Sequence, residues 1–290
     1  MKTNYNIKRT CFPIIALLFL TLFSACQEDE VNSNGLSDEN PIDASFTITP
    51  VSGVNNRYTL QSPQMNALAL KWELGDGTSL HFGSNIENAF YPDAGNYTVS
   101  HTVVGKGGQQ YTTSQNLIVP TSDPVSGNLI QGGKFKDATD HSKWTVLAIS
   151  GTSTNWTFNS GSATIHGNSG GYDQQGIYQA VNVIAGKSYK IDMTVSGSGC
   201  QNTWFEVYVS PTPPVQNNDY NSLGRRIGLS TWDGCATSPF DGQLSVIKCV
   251  GSGNVVTFNT SQTVYFVIKS GGNNLGATGI TVKNVEFRGI

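Results

Sequence analysis

The sequence is poor in charge, in histidine and in long helical or apolar runs, and each shortage narrows what the chain can be. Only 13% of its 290 residues are charged, and 17 lysines and arginines face 20 acids, so a basic footprint for nucleic acid or an anionic lipid surface is missing. The 4 histidines, His81, His101, His141 and His166, stand far apart, and the 5 cysteines form no cluster with metal-ligand spacing. No metal or other cofactor is expected. Extended 3.6-residue periodicity is absent, whereas short alternating runs between Gly, Pro, Asn and Ser recur, which predicts an all-β chain. Catalytic signatures are lacking too. Beyond residue 128 the glutamates are Glu206 and Glu286, with Asp192, Asp233 and Asp241 scattered. There is no Glu-x-Asp-x-x-Glu run and no Gly-x-Ser-x-Gly elbow with suitable partners, so catalysis is not expected.

What is present begins at the amino terminus. Lys8 and Arg9 precede an apolar run from Phe12 to Phe23, followed by Ser24-Ala25-Cys26 and the acidic Gln27-Glu28-Asp29-Glu30. A basic start, a short apolar middle broken by Pro13 and small residues at the cut predict a secretion signal over residues 1–26, with Cys26 as the lipidated first residue of the mature protein. Loss of Lys2, Lys8 and Arg9 with that segment leaves 14 basic against 20 acidic residues, a formal charge of −6. The segment resembles the lipoprotein signals of the Bacteroidetes, in which acidic residues after the cysteine often mark export to the outer face of the outer membrane. That resemblance implies a lipid-anchored, cell-surface location. Residues 27–41 carry almost nothing to bury and read as a flexible tether.

Residues 42–120 read as short strands separated by turns. Trp72-Glu73-Leu74-Gly75-Asp76-Gly77-Thr78 describes a strand ending in a tight turn, with two glycines suited to positive φ and an aspartate able to bind nearby amides. Phe90-Tyr91-Pro92-Asp93-Ala94-Gly95-Asn96-Tyr97-Thr98-Val99 describes a turn feeding an alternating strand. Together these runs resemble the polycystic-kidney-disease (PKD) domain, which implies an immunoglobulin-like sandwich acting as a spacer, with Leu74 as a buried stand-in for the usual phenylalanine. Residues 121–127, punctuated by Pro124, form a linker.

Residues 128–290 suffice for one further β-sandwich. Asn128 to Phe135, Gly176 to Val183, Ala185 to Lys190 and Gly279 to Phe287 resemble the landmarks of jelly-roll carbohydrate-binding modules with galactose-binding-like topology. Many such modules hold a structural calcium near the opening segment, but Lys134, Lys136 and Lys283-Asn284 stand at the corresponding places and supply no hard acidic oxygens. Cys200, Cys235 and Cys249 remain after the signal is removed. In an exported protein Cys235 with Cys249 would close a short loop, while Cys200 with Cys235 stays open as an alternative.

Thr203 to Val209 carries the most functional information. A period of two turns Phe205, Val207 and Val209 toward the core and places Trp204, Glu206 and Tyr208 on the opposite face. Flat aromatic faces stack on sugar C–H groups and a carboxylate between them accepts hydroxyl hydrogen bonds, so this ladder is a candidate glycan platform. The alternative is an aromatic pair covered by a neighbouring loop. Tyr172, Tyr220 and Trp232 are loop aromatics that could extend the face, Trp232 best of all if a disulfide at Cys235 holds it. Arg225 and Arg226 could donate to hydroxyls, and Trp144 and Trp156 are expected to plug the sandwich.

The module resemblance and the anchor together imply a non-catalytic surface lipoprotein that captures a polysaccharide, by analogy a β-glucan. Its expected partners are the outer membrane and an outer-membrane glycan importer with its lid protein. The competing readings are a protein-binding adhesin or structural surface component and, less favoured, a glycoside hydrolase.

Overall fold

The computed structural model describes residues 42–167 and 171–290, so the signal segment, Cys26, the acidic stretch Gln27 to Glu30 and the tether lie outside the described residues. The described chain is all-β and forms two compact units. One comprises residues 42–90 with Asn96–Ile118, the other Tyr91–Gly95 with Val119–Ile290.

In the first unit, β1 (Thr47–Pro50), β2 (Arg57–Gln61) and β5 (Ile86–Phe90) make one antiparallel sheet in the order β1-β2-β5. β3 (Ala69–Glu73), β4 (His81–Gly83), β6 (Gly95–Val104) and β7 (Gln110–Val119) make the other, in the order β4-β3-β6-β7. This two-sheet arrangement is immunoglobulin-like. Trp72 is fully buried, edge-on to Phe46 with centroids 5.3 Å apart and 4.1 Å from His101. Its indole N–H donates to the Ser84 carbonyl at 3.0 Å, which satisfies the one polar group it brings into the core. In the following turn Gly75 and Gly77 have φ of +73° and +96°, and Asp76 Oδ1 accepts from the Thr78 amide at 2.9 Å and from its hydroxyl at 2.6 Å. The carboxylate of Asp76 thus serves the turn's own backbone. Leu74 is only half-buried rather than a core residue, because the chain has already left the strand at Glu73 and turned outward.

The second unit pairs two antiparallel sheets. One contains β8 (Thr145–Ser150), β11 (Gln174–Val183), β13 (Gln201–Ser210), β14 (Ile227–Ser230) and β17 (Gln262–Asn274), in the order β14-β13-β17-β11-β8. The other contains β9 (Asn155–Asn159), β10 (Ser162–His166), β12 (Ser188–Gly197), β15 (Phe240–Gln243) and β18 (Ile280–Gly289), ordered β15-β12-β18-β10-β9, with β16 (Val255–Thr257) also pairing β12. The chain passes from sheet to sheet at β11 to β12, β12 to β13 and β17 to β18, which is the jelly-roll manner of building a sandwich. Strict alternation fills the space between the sheets. Tyr189, Ile191, Met193 and Val195 from β12 meet Phe205, Val207 and Val209 from β13 and Val264, Phe266 and Ile268 from β17, all essentially without exposure. Trp144 and Trp156 belong to the same core.

The five-stranded sheet departs from simple alternation. On its outer face a second apolar cluster, Leu147, Ile149, Tyr208, Tyr220 and Val267, is also buried. That cover comes from the connection between β13 and β14, which folds back across the sheet. Gln216 brackets the backbone of β8, accepting from the Ala148 amide at 2.8 Å and donating to the Val146 carbonyl at 2.9 Å. The Asn217 amide adds a bond to the Ala148 carbonyl at 2.8 Å. A bare sheet face becomes half core and half open surface.

Candidate functional site

The open half of that face is laid out by strand register. Across β11, β17, β13 and β14, Gln174 faces Gly271, Gly271 faces Trp204 and Trp204 faces Ser230. One outward row further on, Gly176 faces Lys269 and Lys269 faces Glu206. Beyond it Tyr178 faces Val267 and Val267 faces Tyr208. Trp204, Glu206 and Tyr208 therefore do share one face, as their period of two requires.

Their exposures differ sharply. Trp204 is half-buried, but Glu206 is 7% exposed and Tyr208 4%. The expectation of an open aromatic, acid, aromatic ladder is corrected at its last two rungs, because the connection after β13 covers them. Tyr220 is corrected as well. It is 4% exposed, packs edge-on to Tyr208 at 5.8 Å and donates its hydroxyl to the Thr212 carbonyl at 2.7 Å, so it belongs to the cover and not to a binding surface. Burial and the neighbouring Glu206 carboxylate push the Tyr208 hydroxyl far above its ordinary range, keeping it a neutral donor.

Glu206 is held by the protein on both oxygens. Arg225 donates to Oε1 at 2.9 Å, while Oε2 accepts the Tyr208 hydroxyl at 2.8 Å and lies 3.5 Å from Lys269 Nζ. Lys269, itself 3% exposed, sits 5.2 Å from the Tyr208 ring centroid and donates to Asp219 Oδ1 at 2.6 Å. Four charges of alternating sign thus pin the covering segment to the sheet, and pairing with the more exposed Arg225 and Asp219 offsets the cost of burying Glu206 and Lys269. Arg225, with 39% of its side chain exposed, donates Nη1 to Glu206, and Arg226 donates to the Val255 carbonyl, so each guanidinium has one of its donor groups engaged by the protein.

Trp232 stands at 55% exposure in a one-turn helix, Thr231–Asp233, closed by Gly234 with φ of +86°. Its ring lies 6.1 Å from that of Trp204 at an interplanar angle of 32°. Two ties hold the turn. The Thr203 amide donates to Thr231 Oγ1 at 3.0 Å, and Cys235 is bonded to Cys249. Cys200 is a buried free thiol, whose Sγ lies 3.3 Å from the Leu275 carbonyl and whose pKa burial pushes up to about 11. Gly271 completes the arrangement, since a Cβ there would stand 2.8 Å from Trp204 Cζ2 and 2.5 Å from Gln174 Cβ. The absence of a side chain lets the indole settle against the sheet.

A cleft of about 270 Å³ opens beside Trp204, lined by Gln174, Glu206, Tyr208, Asp219, Asn221 and Lys269. The sequence reading missed Gln174, Asp219, Asn221 and Lys269. Lys269 carries a signal, a lysine directly after the apolar run Val264 to Ile268 within β17, but nothing local shows that its face is covered. Asp219 and Asn221 come from the polar connection, whose position over the sheet has no local signature. Tyr172 is 55% exposed. No contact joins it to the two indoles among the described residues. Its neighbour Asp173 accepts from the Thr152 and Ser153 amides at 3.0 and 2.9 Å and is held below the usual carboxylate range by Ser153.

No protein-family model matches the chain, and no curated protein matches its sequence. Among solved structures it is similar to one described as a study of promiscuous specificity in carbohydrate-binding modules of the β-sandwich superfamily, at 13% identity over 84% of this chain and 96% of that one, with a TM-score of 0.29. It is also similar to a family 4 carbohydrate-binding module at 16% identity, covering 56% of this chain and 99% of that one, with a TM-score of 0.30. A third is a family 61 module in complex with β-1,4-galactotriose, at 9% identity over 57% and 100% of the two chains, with a TM-score of 0.31.

Proposed function

We propose that the chain is a non-catalytic glycan-binding lipoprotein of the cell surface, anchored through Cys26, which captures a polysaccharide for an outer-membrane importer and its lid protein. The single observation that carries the binding reading is the tilted Trp204 and Trp232 pair, 6.1 Å apart, beside a cleft lined by amide, carboxylate and ammonium groups. Paired rings supply stacking surface for sugar C–H faces, and the polar wall supplies partners for hydroxyls. The anchoring part of the proposal is supported by the sequence of residues 1–30, and the PKD-like unit would serve as a spacer.

A binding role is favoured over hydrolysis by the state of the carboxylates. Glu206 and Asp219 both point at Lys269 Nζ instead of facing one another across a gap open to a glycosidic bond and a water. Isothermal titration of the full chain against a panel of polysaccharides, beginning with β-glucans, tests the proposal. Saturable binding to at least one glycan, with no release of reducing ends, is expected. Failure to bind any of them, together with capture of an envelope or host protein, would favour an adhesin.

A further inference from the structure

The carboxylate at the cleft wall that remains available to a ligand is Asp219. Its Oδ1 accepts from Lys269 at 2.6 Å and from the Tyr220 amide at 2.8 Å, and Oδ2 takes no donor among the described residues. Its side chain is 48% exposed, against 9% for Glu206. A carboxylate offers about four lone-pair directions. Those of Glu206 are largely taken by Arg225, Tyr208 and Lys269, so Glu206 cannot accept hydroxyls without breaking the network that secures the cover. Asp219 can, because its two protein bonds both fall on one oxygen.

Charge around the cleft points the same way. Of the residues lining it, Glu206 and Asp219 are acidic and Lys269 is basic, and Lys269, with 4% of its side chain exposed, is spent on the two acids. An anionic sugar entering the cleft would meet an open carboxylate, and the lining cation, Lys269, is already paired with two acids, at a cost that a neutral hydroxyl-bearing ring does not incur.

Building on the glycan-binding reading, we propose that Asp219, and not Glu206, is the carboxylate that reads sugar hydroxyls, and that the site takes neutral pyranoses and rejects uronates. Asp219→Asn retains an oxygen for Lys269 and for the Tyr220 amide while removing the charge, so the cover keeps its hydrogen bonds, and a melting curve of the variant reports what the weaker pairing of Lys269 costs the fold. Titration of the full-length protein with neutral hexasaccharides, cellohexaose and a mixed-linkage glucan hexamer among them, and with hexagalacturonate supplies the test. The wild-type protein is expected to bind a neutral hexamer and not hexagalacturonate. In Asp219→Asn, affinity for that neutral hexamer should fall about tenfold with the loss of a charge-assisted bond, and discrimination against hexagalacturonate should relax.

Unchanged neutral affinity in a folded Asp219→Asn variant would overturn the assignment. So would wild-type binding of hexagalacturonate as tight as that of any neutral sugar, a comparison that needs no variant to fold. A wild-type protein that binds none of the panel would remove the glycan-binding reading itself, and this inference with it.

Discussion

Tyr208 donates its hydroxyl to Glu206 Oε2 at 2.8 Å beneath the segment that joins β13 to β14. The two residues share the outer face with Trp204, yet they use their polar groups on each other. Removing the hydroxyl in Tyr208→Phe would leave one lone pair of a buried carboxylate without its donor. We expect a loss of about 1–2 kcal/mol in stability by urea unfolding, with glycan affinity unchanged. A selective loss of affinity at unchanged stability would return Tyr208 to the site.

The indole pair should carry the binding energy. Trp204→Ala and Trp232→Ala are each expected to weaken glycan binding about tenfold or more, close to 1.4 kcal/mol. Trp232 is 55% exposed, so its removal should leave the melting temperature nearly unchanged, and a calorimetric scan alongside the titration separates contact from collapse.

Gly271→Ala tests how Trp204 is seated. The new methyl would meet Trp204 Cζ2 at 2.8 Å, Gln174 Cβ at 2.5 Å and the Asp173 carbonyl at 2.6 Å, so the indole and the backbone at Asp173 and Gln174 must shift. A folded protein with altered tryptophan fluorescence and weakened glycan binding is expected. Wild-type affinity would mean that the pose of Trp204 is immaterial.

The Cys235–Cys249 bond spans 14 residues and fixes the end of the turn that carries Trp232. The double substitution to serine should cost about 3 kcal/mol of stability through a less restricted unfolded chain. It should also weaken binding at temperatures where the protein is still folded. Measuring both on one preparation shows whether the bond serves only the fold or the ring as well.

Cys200 supplies a pH signature. Burial raises its folded pKa to about 11 from an ordinary value of 9.0. A group whose pKa is raised by folding contributes stability that is complete below the unfolded value and is lost as pH climbs through the folded one. Stability should therefore decline between pH 9.0 and about 11, and Cys200→Ala should flatten that part of the profile in chemical denaturation. A profile identical to wild type would remove the thiol as the cause.

Some of this was written in local pattern. Alternation at Tyr189, Ile191, Met193 and Val195, and at Phe205, Val207 and Val209, determined which side chains enter the core, because a strand has only two faces and burying apolar groups selects one of them. The Gly75-Asp76-Gly77 turn was legible for a similar reason, since positive φ and a short acceptor leave few alternatives. The same parity correctly put Trp204, Glu206 and Tyr208 together on the outer face. Parity cannot say whether a face is covered.

Tertiary structure alone decided that. Gln216 reaches back 68 residues to Ala148, and Asp219 meets a lysine 50 residues further on. Such pairings depend on where distant strands lie in the sheet and not on neighbouring residues. They buried Tyr208 and Tyr220, spent Glu206 and left Asp219 open, and they brought Trp232 beside Trp204. The disulfide is of the same kind. Spacing left Cys200 and Cys249 as rival partners for Cys235, and the choice fell to Cys249 once Cys200 was enclosed in the core against Leu275.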